Sequence, residues 1–324
     1  PGRRDDKYRQ VASGKTGRAL LAFLGAGHTA QGGEHAEVAR AAIDFLLARQ
    51  KLDTGHFGEG CSYSHGIATY ALAECYALTG DPALARPIER AVDQILRNQV
   101  PEEERRDPRT VGGWSYYYPD GSIYDAWPRV SISAWQVMAL ESARIGGLAV
   151  PEEALESARR FIVGSWDERL GAVRYSHDPE RINSSYPTLP GSTPAGLFVL
   201  SLGGEDIASD RFLAPRNYLL RRMPNGFRYT GEEDFVFRAQ GNVYFWYYGS
   251  LALLRVGGPE WERWNTALKA TLLPAQLENG SWPPLDVYAE YAGDDDRESI
   301  YTTAMCVLTL EVYYRYFTPL LERR

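Results

Sequence analysis

Gln276-Leu277-Glu278-Asn279-Gly280-Ser281-Trp282 is the stretch of sequence that decides the fold. It places a glutamine at the end of an apolar helical pattern, followed by a glycine and then a tryptophan. Glycine accepts the left-handed backbone of a tight turn, and the ring after it offers a large apolar surface for a core. The same order of residue types returns elsewhere along the chain, so we interpret this stretch as one copy of a repeat.

Two signals recur along the chain and interleave. Weaker copies of the first are Gln50…Gly55-His56-Phe57, Gln99…Gly113-Trp114-Ser115-Tyr116, Asn225-Gly226-Phe227-Arg228-Tyr229 and the degenerate Gly171-Ala172-Val173-Arg174-Tyr175. The second signal is a helical pattern that ends in glycine, at 23–27, 77–80, 144–147, 201–204 and 255–258. Glycine just past a helix closes its last turn. Because the two signals alternate, each repeat is predicted to be one helix pair.

Apolar residues at helical spacing predict two series of helices. The first series is rich in small and aromatic residues and spans 14–25, 64–79, 130–146, 192–203, 240–256 and 299–317. The second series carries charge on one face and spans 35–49, 83–98, 151–164, 209–222 and 259–277. The contrast predicts an all-α protein, an α/α toroid with six inner helices and five outer helices. We expect a single domain over residues 1–324, with an outer helix missing at the N-terminal seam and located upstream of Pro1.

Composition excludes several classes of function. The formal net charge of −7 argues against a nucleic-acid partner, which usually requires a basic surface. No apolar run approaches the roughly 18–20 residues of a membrane span. Three cysteines, at positions 61, 75 and 306, are too few for a disulfide framework. The 8 Trp and 21 Tyr residues favour a cavity or a binding surface, because these rings combine apolar area with a polar tip. Neither a compartment nor an oligomeric state follows from the composition.

The longer connections are predicted to carry the function. Links from an inner to an outer helix are short, whereas the links from an outer to an inner helix cover about 98–130, 164–191, 222–239 and 282–299. In alternating hairpins the long links emerge on one face, and long loops on a rigid scaffold are common sites of function. The same face receives the N-termini of the inner helices, whose dipoles mildly favour anions.

The Gln-x-x-x-Gly-x-Trp pattern of residues 276–282 resembles the repeat motif of the terpenoid-cyclase and protein-prenyltransferase family. The resemblance extends over about residues 15–317. Within the family, the sequence is similar to uncharacterised bacterial proteins that contain squalene-cyclase-type repeats. It implies the toroid fold and a hydrophobic ligand, with isoprenoids as the suggested class, in a central cavity. It implies the chemistry only weakly, because the fold hosts many functions.

A divergent class II terpene cyclase is one alternative that the resemblance raises. Such cyclases carry Asp-x-Asp-Asp, whose middle Asp protonates an alkene. The nearest match is the run Asp294, Asp295 and Asp296, in which the residues are adjacent rather than spaced. Clustered carboxylates raise one another's pKa, so a catalytic acid is physically reasonable. The favoured interpretation is a solvated loop that caps the last inner helix.

The resemblance also raises the zinc site of the prenyltransferases, which is built from Asp-x-Cys and a later His. Glu59 and Cys61 precede the second inner helix in a similar place, and His65 lies one turn further on. The later inner helices contain no His, whereas a persuasive zinc site needs three protein ligands. The sequence therefore predicts no metal and no cofactor, with Glu59, Cys61 and His65 as weak metal candidates.

Two further alternatives have a weaker basis. A glycosidase needs two opposed carboxylates, and Glu59, Asp125, Asp234 and the run 294–296 all precede inner helices. No motif identifies a pair among them, although the neighbouring aromatic residues would suit sugar stacking. A non-catalytic scaffold, which binds a protein partner through its loop face, is the other alternative.

Aromatic and polar residues near the starts of the inner helices are the predicted ligand-binding residues. They are His65, Trp127, Arg129, Trp135, Arg238, Asn242, Tyr244, Trp246 and Tyr301. Rings such as Trp135, Trp246 and Tyr301 either line a pocket or fill the centre of the ring of helices, and both interpretations stay open. Arg129 and Arg238 are suited to an anionic group. The sequence thus favours the binding of a hydrophobic small molecule.

Overall fold

The computed structural model is mainly helical and describes residues 2–58, 60–103, 107–118, 125–182, 188–285, 287–295 and 298–313. Its helices are α1 (Gly2–Gly25), α2 (Ala36–Leu47), α3 (Ser62–Thr79), α4 (Pro82–Arg97), α5 (Val130–Ile145), α6 (Glu152–Gly164), α7 (Pro179–Ile182), α8 (Ser192–Leu202), α9 (Leu213–Leu220), α10 (Glu232–Arg238), α11 (Val243–Val256), α12 (Gly258–Leu272), α13 (Val287–Tyr291) and α14 (Ile300–Glu311). Strands β1 (Trp166–Asp167) and β2 (Ala172–Val173) form an antiparallel hairpin. Of the helices described, none is long and apolar enough to cross a membrane.

The two predicted series of helices are confirmed in type and in order. Within the described part of the chain, α1, α3, α5, α8, α11 and α14 form the buried series, and α2, α4, α6, α9 and α12 form the amphipathic series. Helix α5 is buried continuously from Val130 to Ala143, as expected for a helix that is apolar on all sides. Helix α4 instead buries one face, with Leu84, Ile88 and Ile95 at helical spacing.

The structure differs from the predicted boundaries in three places. Helix α1 begins at Gly2 rather than near residue 14, because the polar segment after Gly2 carries no apolar period that would reveal a helix. The predicted long links contain the hairpin and the short helices α7, α10 and α13, which span too few turns to produce a periodic pattern. The last predicted inner helix, 299–317, corresponds to α14, which ends at Glu311.

The chain divides into two compact units, whose described parts run up to Arg160 and from Phe161 to Tyr313. In the first unit, α3 packs against both α1 and α5, α2 packs on α1, and α4 packs on α3 and α5. In the second unit, α11 packs against both α8 and α14, α9 packs on α8, and α12 packs on α11. Each unit is therefore built from helix pairs, and a single domain over residues 1–324 stays a prediction.

Glutamines at the ends of outer helices join each helix to the next one in the first unit. Gln50 Nε2 donates a hydrogen bond to the Pro87 carbonyl in α4 at 2.7 Å, and Gln99 Nε2 donates to the Ala154 carbonyl in α6 at 2.8 Å. Each amide also donates to a glycine carbonyl in its own turn, at 3.0 and 2.9 Å. The repeated glutamine is thus explained by a repeated pair of hydrogen bonds.

The tryptophans of the repeat close the ends of the outer helices. Trp114 Nε1 donates to the Ile95 carbonyl in the last turn of α4, and Trp282 Nε1 donates to the Leu272 carbonyl at the end of α12, both at 2.8 Å. Both indole rings are buried. Carbonyls in the last turn of a helix have no partner within the helix, so a buried indole N–H at this place satisfies both groups.

The glycines between the glutamine and the aromatic residue allow the turn to approach the next outer helix. Gly55 and Gly112 have φ angles of +84° and +86°. A Cβ atom on Gly55 would collide with the Arg90 carbonyl in α4, and a Cβ atom on Gly112 would collide with the Ser157 carbonyl in α6. Both turns therefore need glycine for backbone conformation and for space.

We expect Gly112→Ala to destabilise the protein far more than Gly147→Ala. Gly147 has a φ angle of +87°, and no described atom lies within 4 Å of a Cβ built there. Gly147→Ala should therefore cost only the left-handed backbone strain, about 1 kcal/mol. Gly112→Ala should cost about 1–3 kcal/mol more, because the Ser157 carbonyl has to move. Urea unfolding followed by circular dichroism measures both variants, and equal losses would show that the turn does not pack on α6.

Candidate functional site

Guanidinium groups and aromatic rings alternate at the starts of α3 and α5 in the first unit. The guanidinium carbon of Arg18, a side chain only 6% exposed, lies 5.5 Å from the ring centre of Trp135 and 5.6 Å from that of Tyr63. Tyr63 stacks on Tyr116 with ring centres 6.4 Å apart, and Arg129 lies 5.9 Å from the centre of the Tyr116 ring. We call these five residues the Arg–aromatic cluster. Contacts of this kind order the rings and the cations together.

Arg18, Tyr63 and Tyr116 are the members of this cluster that the predicted ligand-binding residues do not include, and Arg18 is the buried cation among them. A Cβ atom on Gly14 would lie 2.9 Å from Ser64 Oγ, so Gly14 marks the face of α1 that packs against α3. Arg18 follows Gly14 by four residues and lies on the same face.

Asp125 organises the loop that leads into α5. Its carboxylate accepts hydrogen bonds from the backbone N–H of Tyr116 at 3.0 Å and of Trp127 at 3.3 Å. The guanidinium of Arg129 lies 3.5 Å from the same carboxylate and donates to the Trp127 carbonyl. The structure thus brings together two of the predicted ligand-binding residues, Trp127 and Arg129, and pairs the charge of Arg129 with Asp125.

His65 is held by backbone groups at the start of α3. Its Nδ1 accepts from the Phe57 N–H at 3.0 Å, and its Nε2 lies 3.2 Å from the Ala91 carbonyl, so both ring nitrogens are engaged. Burial, and then the ring of His56 stacked 4.5 Å away, keeps the pKa of His65 well below its ordinary value. The buried imidazole is therefore neutral and ties the loop before α3 to α4.

Cys61 lies immediately before α3, and its environment disfavours the thiolate. Burial raises the pKa of the thiol, although nearby backbone N–H groups and the charge of Arg18 oppose this effect. A thiolate is the form of cysteine that binds a metal. Among the described residues, no group of three His, Cys, Asp or Glu side chains is placed to hold a metal ion. Glu59, the third weak metal candidate, lies outside the described residues.

Aromatic rings also gather around the start of α11 in the second unit. The ring of Tyr244 packs against Tyr248 with ring centres 4.8 Å apart and against Tyr288 at 6.4 Å. Phe235 adjoins Tyr288 at 5.1 Å. A Cβ atom on Gly191, before α8, would collide with the Tyr244 ring. We call Phe235, Tyr244, Tyr248 and Tyr288 the second aromatic cluster, in which the predicted residue Tyr244 is central.

Other predicted residues of the second unit differ in their surroundings. Asn242 and Trp246 are both buried, and Asn242 Oδ1 accepts from the Phe245 N–H at 2.8 Å as the cap of α11. The side chain of Arg238 is 75% exposed and lies 3.2 Å from the Asp234 carboxylate. An exposed ion pair of this kind contributes little, and Arg238 lies in solvent rather than in a buried site.

Asp294, the first residue of the acidic run before α14, has a structural role. Asp294 accepts hydrogen bonds from the Tyr301 N–H at 2.9 Å and from the Thr302 N–H and hydroxyl at 2.8 and 2.9 Å. These bonds satisfy the first turn of α14, at which the buried Tyr301 lies. Asp295 is exposed and accepts from the Glu298 N–H in a tight turn. Asp296 lies outside the described residues.

No protein-family model matches this sequence, and no curated protein matches it. Solved structures are similar to it at low sequence identity. The type II terpene cyclase MstE from Scytonema, in complex with geranylgeranyl dihydroxybenzoate, is 17% identical, with 93% of this chain and 86% of that chain covered and a TM-score of 0.57. D-mannose isomerase is 13% identical, with 93% and 86% covered and a TM-score of 0.63. A GH76A α-1,6-mannanase from Salegentibacter is 12% identical, with 92% and 88% covered and a TM-score of 0.63.

These similarities establish the fold class. All three proteins are α/α toroids, and the predicted all-α toroid class of this chain is confirmed. By their names, the first of these proteins acts on a geranylgeranyl compound and the other two act on mannose or a mannan, so the shared fold does not choose between the two kinds of substrate.

The stability of the protein should depend on pH through His65. A histidine whose pKa is lowered by folding takes up its proton in the unfolded state first, so stability is highest above about pH 6.5 and falls as the pH decreases below that value. His65→Gln keeps one acceptor and one donor but removes the titration. It should reduce the slope of unfolding free energy against pH, between about pH 6.5 and 5, by up to about 1.4 kcal/mol per pH unit.

Urea titrations at several pH values measure this slope. The same substitution at the exposed His35 is the matched control. A slope that is equal in His65→Gln and in the unaltered protein would contradict the account of a neutral, buried His65.

Proposed function

We propose that this protein binds a hydrophobic small molecule, of the isoprenoid class, on aromatic side chains at the starts of its buried helices. In the first unit the binding surface is the Arg–aromatic cluster. Tyr63 and Tyr116 are half-buried there, whereas Trp135 behind them is fully buried. Half-buried rings leave apolar area that a ligand can cover, and this is the observation that carries the proposal.

The hydrogen bonds and ion pairs of the carboxylates favour a hydrophobic ligand over a carbohydrate substrate. A glycosidase needs one carboxylic acid and one carboxylate that face a sugar. Asp125 is bonded to two backbone N–H groups and adjoins Arg129, Asp234 pairs with Arg238, and Asp294 satisfies the first turn of α14. Each of these three carboxylates, among the candidates that the structure describes, is engaged by its own neighbourhood. The half-buried rings of Tyr63 and Tyr116 are the groups that we assign to the ligand.

Two observations favour binding without turnover over a divergent class II terpene cyclase. Asp294 is held as a hydrogen-bond acceptor by the first turn of α14, and the exposed Asp295 accepts from the Glu298 N–H in a tight turn, so both carboxylates have structural roles. In the Arg–aromatic cluster the π faces of Tyr63 and Trp135 already adjoin the guanidinium of Arg18. Rings occupied by a fixed cation are poorly placed to stabilise a carbocation as well.

Titration with farnesol, a C15 isoprenoid alcohol, tests the proposal. We expect saturable binding to the unaltered protein by calorimetry or by quenching of tryptophan fluorescence, and no binding of mannose. Tyr63→Ala should weaken farnesol binding about tenfold, because one ring contact of about 1–1.5 kcal/mol is lost. Tyr291→Ala, which removes an exposed ring of the second unit, is the control and should bind farnesol normally.

Each alternative has its own outcome in the same experiment. Binding of mannose in place of farnesol would support a carbohydrate-active protein and contradict the proposal. Geranylgeraniol recovered in cyclised form after incubation, with the product lost in Asp295→Asn, would support the cyclase. Farnesol affinity that is equal in Tyr63→Ala and in the unaltered protein would remove the Arg–aromatic cluster from the binding surface.

A further inference from the structure

The rings of Tyr63 and Tyr116 in the Arg–aromatic cluster lie nearly parallel but do not cover each other. Their planes differ by 15°, and their centres are 6.4 Å apart. If the two planes are in contact, about 3.5 Å apart, the rings are displaced sideways by about 5 Å, which leaves most of both faces uncovered. If the rings are not displaced, the gap between them is close to the roughly 7 Å that a third flat ring fills. Either arrangement leaves parallel ring surface for a flat group.

A second pair of nearly parallel rings in the same unit shows how a closed stack differs from this one. The planes of His56 and His65 differ by 16°, their ring centres are only 4.5 Å apart, and both side chains are buried. Tyr63 and Tyr116 are wider apart, and both are half-buried, so part of each side chain is open to a ligand. The tyrosine pair is therefore open both in its spacing and in its exposure.

Hydrogen bonds fix the backbone of the two tyrosines relative to each other. Ser62, the residue before Tyr63, donates its N–H to the Tyr116 carbonyl at 2.9 Å and its hydroxyl to the same carbonyl at 3.0 Å. The N–H of Tyr116 donates to the Asp125 carboxylate at 3.0 Å. The two ring positions are thus set by the fold, and a surface formed in advance avoids the cost of ordering a loop on binding.

The charges beside the two rings favour an uncharged flat group over a cationic one. Open aromatic faces can also bind cations such as quaternary ammonium groups. Here the guanidinium of Arg18 lies 5.6 Å from the centre of the Tyr63 ring, and that of Arg129 lies 5.9 Å from the centre of the Tyr116 ring. A cationic ligand at these rings would be repelled by both guanidinium groups.

We propose that Tyr63 and Tyr116 stack against a flat, uncharged aromatic ring that the isoprenoid ligand carries. A planar ring covers two parallel faces at contact distance, whereas a saturated ring or a bent prenyl chain touches them with only some of its atoms. This inference rests on the proposed function, because the flat ring is part of the hydrophobic ligand. It adds that the ligand is a prenylated aromatic compound rather than a purely aliphatic isoprenoid.

Calorimetric titrations with 4-farnesylphenol and 4-farnesylcyclohexanol test the inference. The two compounds share the C15 chain and a hydroxyl group, and only the ring of the phenol is flat and aromatic. The unaltered protein should bind the phenol about tenfold more tightly, the effect of two ring contacts. Tyr63→Leu and Tyr116→Leu keep apolar bulk and remove one ring face each. Each should reduce this preference about threefold, and the double variant should abolish it.

Tyr117→Leu is the matched control, because Tyr117 follows Tyr116 directly and is also half-buried. Its backbone pairs with Cys61 in a β-bridge, and neighbouring side chains of an extended segment point to opposite sides. This variant should keep the tenfold preference for the phenol. An NMR measurement needs no variant: the ring protons of 4-farnesylphenol should move upfield on binding to the unaltered protein, because the faces of the tyrosine rings shield them.

The outcomes separate the inference from the proposed function. Binding of farnesol, together with equal affinities for the phenol and the cyclohexanol and unmoved ring-proton signals, would overturn the inference and leave the proposed function standing. A preference for the phenol that persists in the double variant would also overturn the inference, because the flat ring would then be bound elsewhere. Binding of neither 4-farnesylphenol nor farnesol to the unaltered protein would overturn both.

Discussion

A helix that is buried on every side has no water with which to satisfy its polar groups, and the rest of this structure depends on that constraint. Helices α5 and α11 are buried along almost their whole length. Loops and outer helices that pack around such helices must pair their polar groups within the protein. The glutamine amides, the indole N–H groups of Trp114 and Trp282 and the tight glycine turns meet this requirement in repeated form.

The same constraint determines what chemistry remains at the starts of the buried helices. Asp125 and Asp294 are used to satisfy backbone N–H groups, and His65 is used on both ring nitrogens. A site whose titratable groups are engaged in this way is better suited to holding a ligand than to transferring protons. Half-buried aromatic area in the first unit remains available for the proposed ligand.

The helix pairs could be predicted from the sequence, whereas the side chains and backbone groups that contact the site residues could not. Glycine at helix ends and apolar spacing predicted the helix pairs, because both signals are local. Arg18 was missed because a single arginine within a helix belongs to no motif, and its rings come from α3 and α5. The partners of Asp125 depend on where loops place backbone groups, which no local pattern encodes.

Native mass spectrometry of the purified protein tests the central claim, the binding of a hydrophobic small molecule, most directly. The account predicts a non-covalent, lipid-sized adduct on the folded chain that is lost on denaturation and that extracts into organic solvent as an isoprenoid-like compound. A sugar adduct would contradict this account. So would a bare chain mass that persists after incubation with excess farnesol, because a protein built to cover apolar ligands retains one when it is supplied.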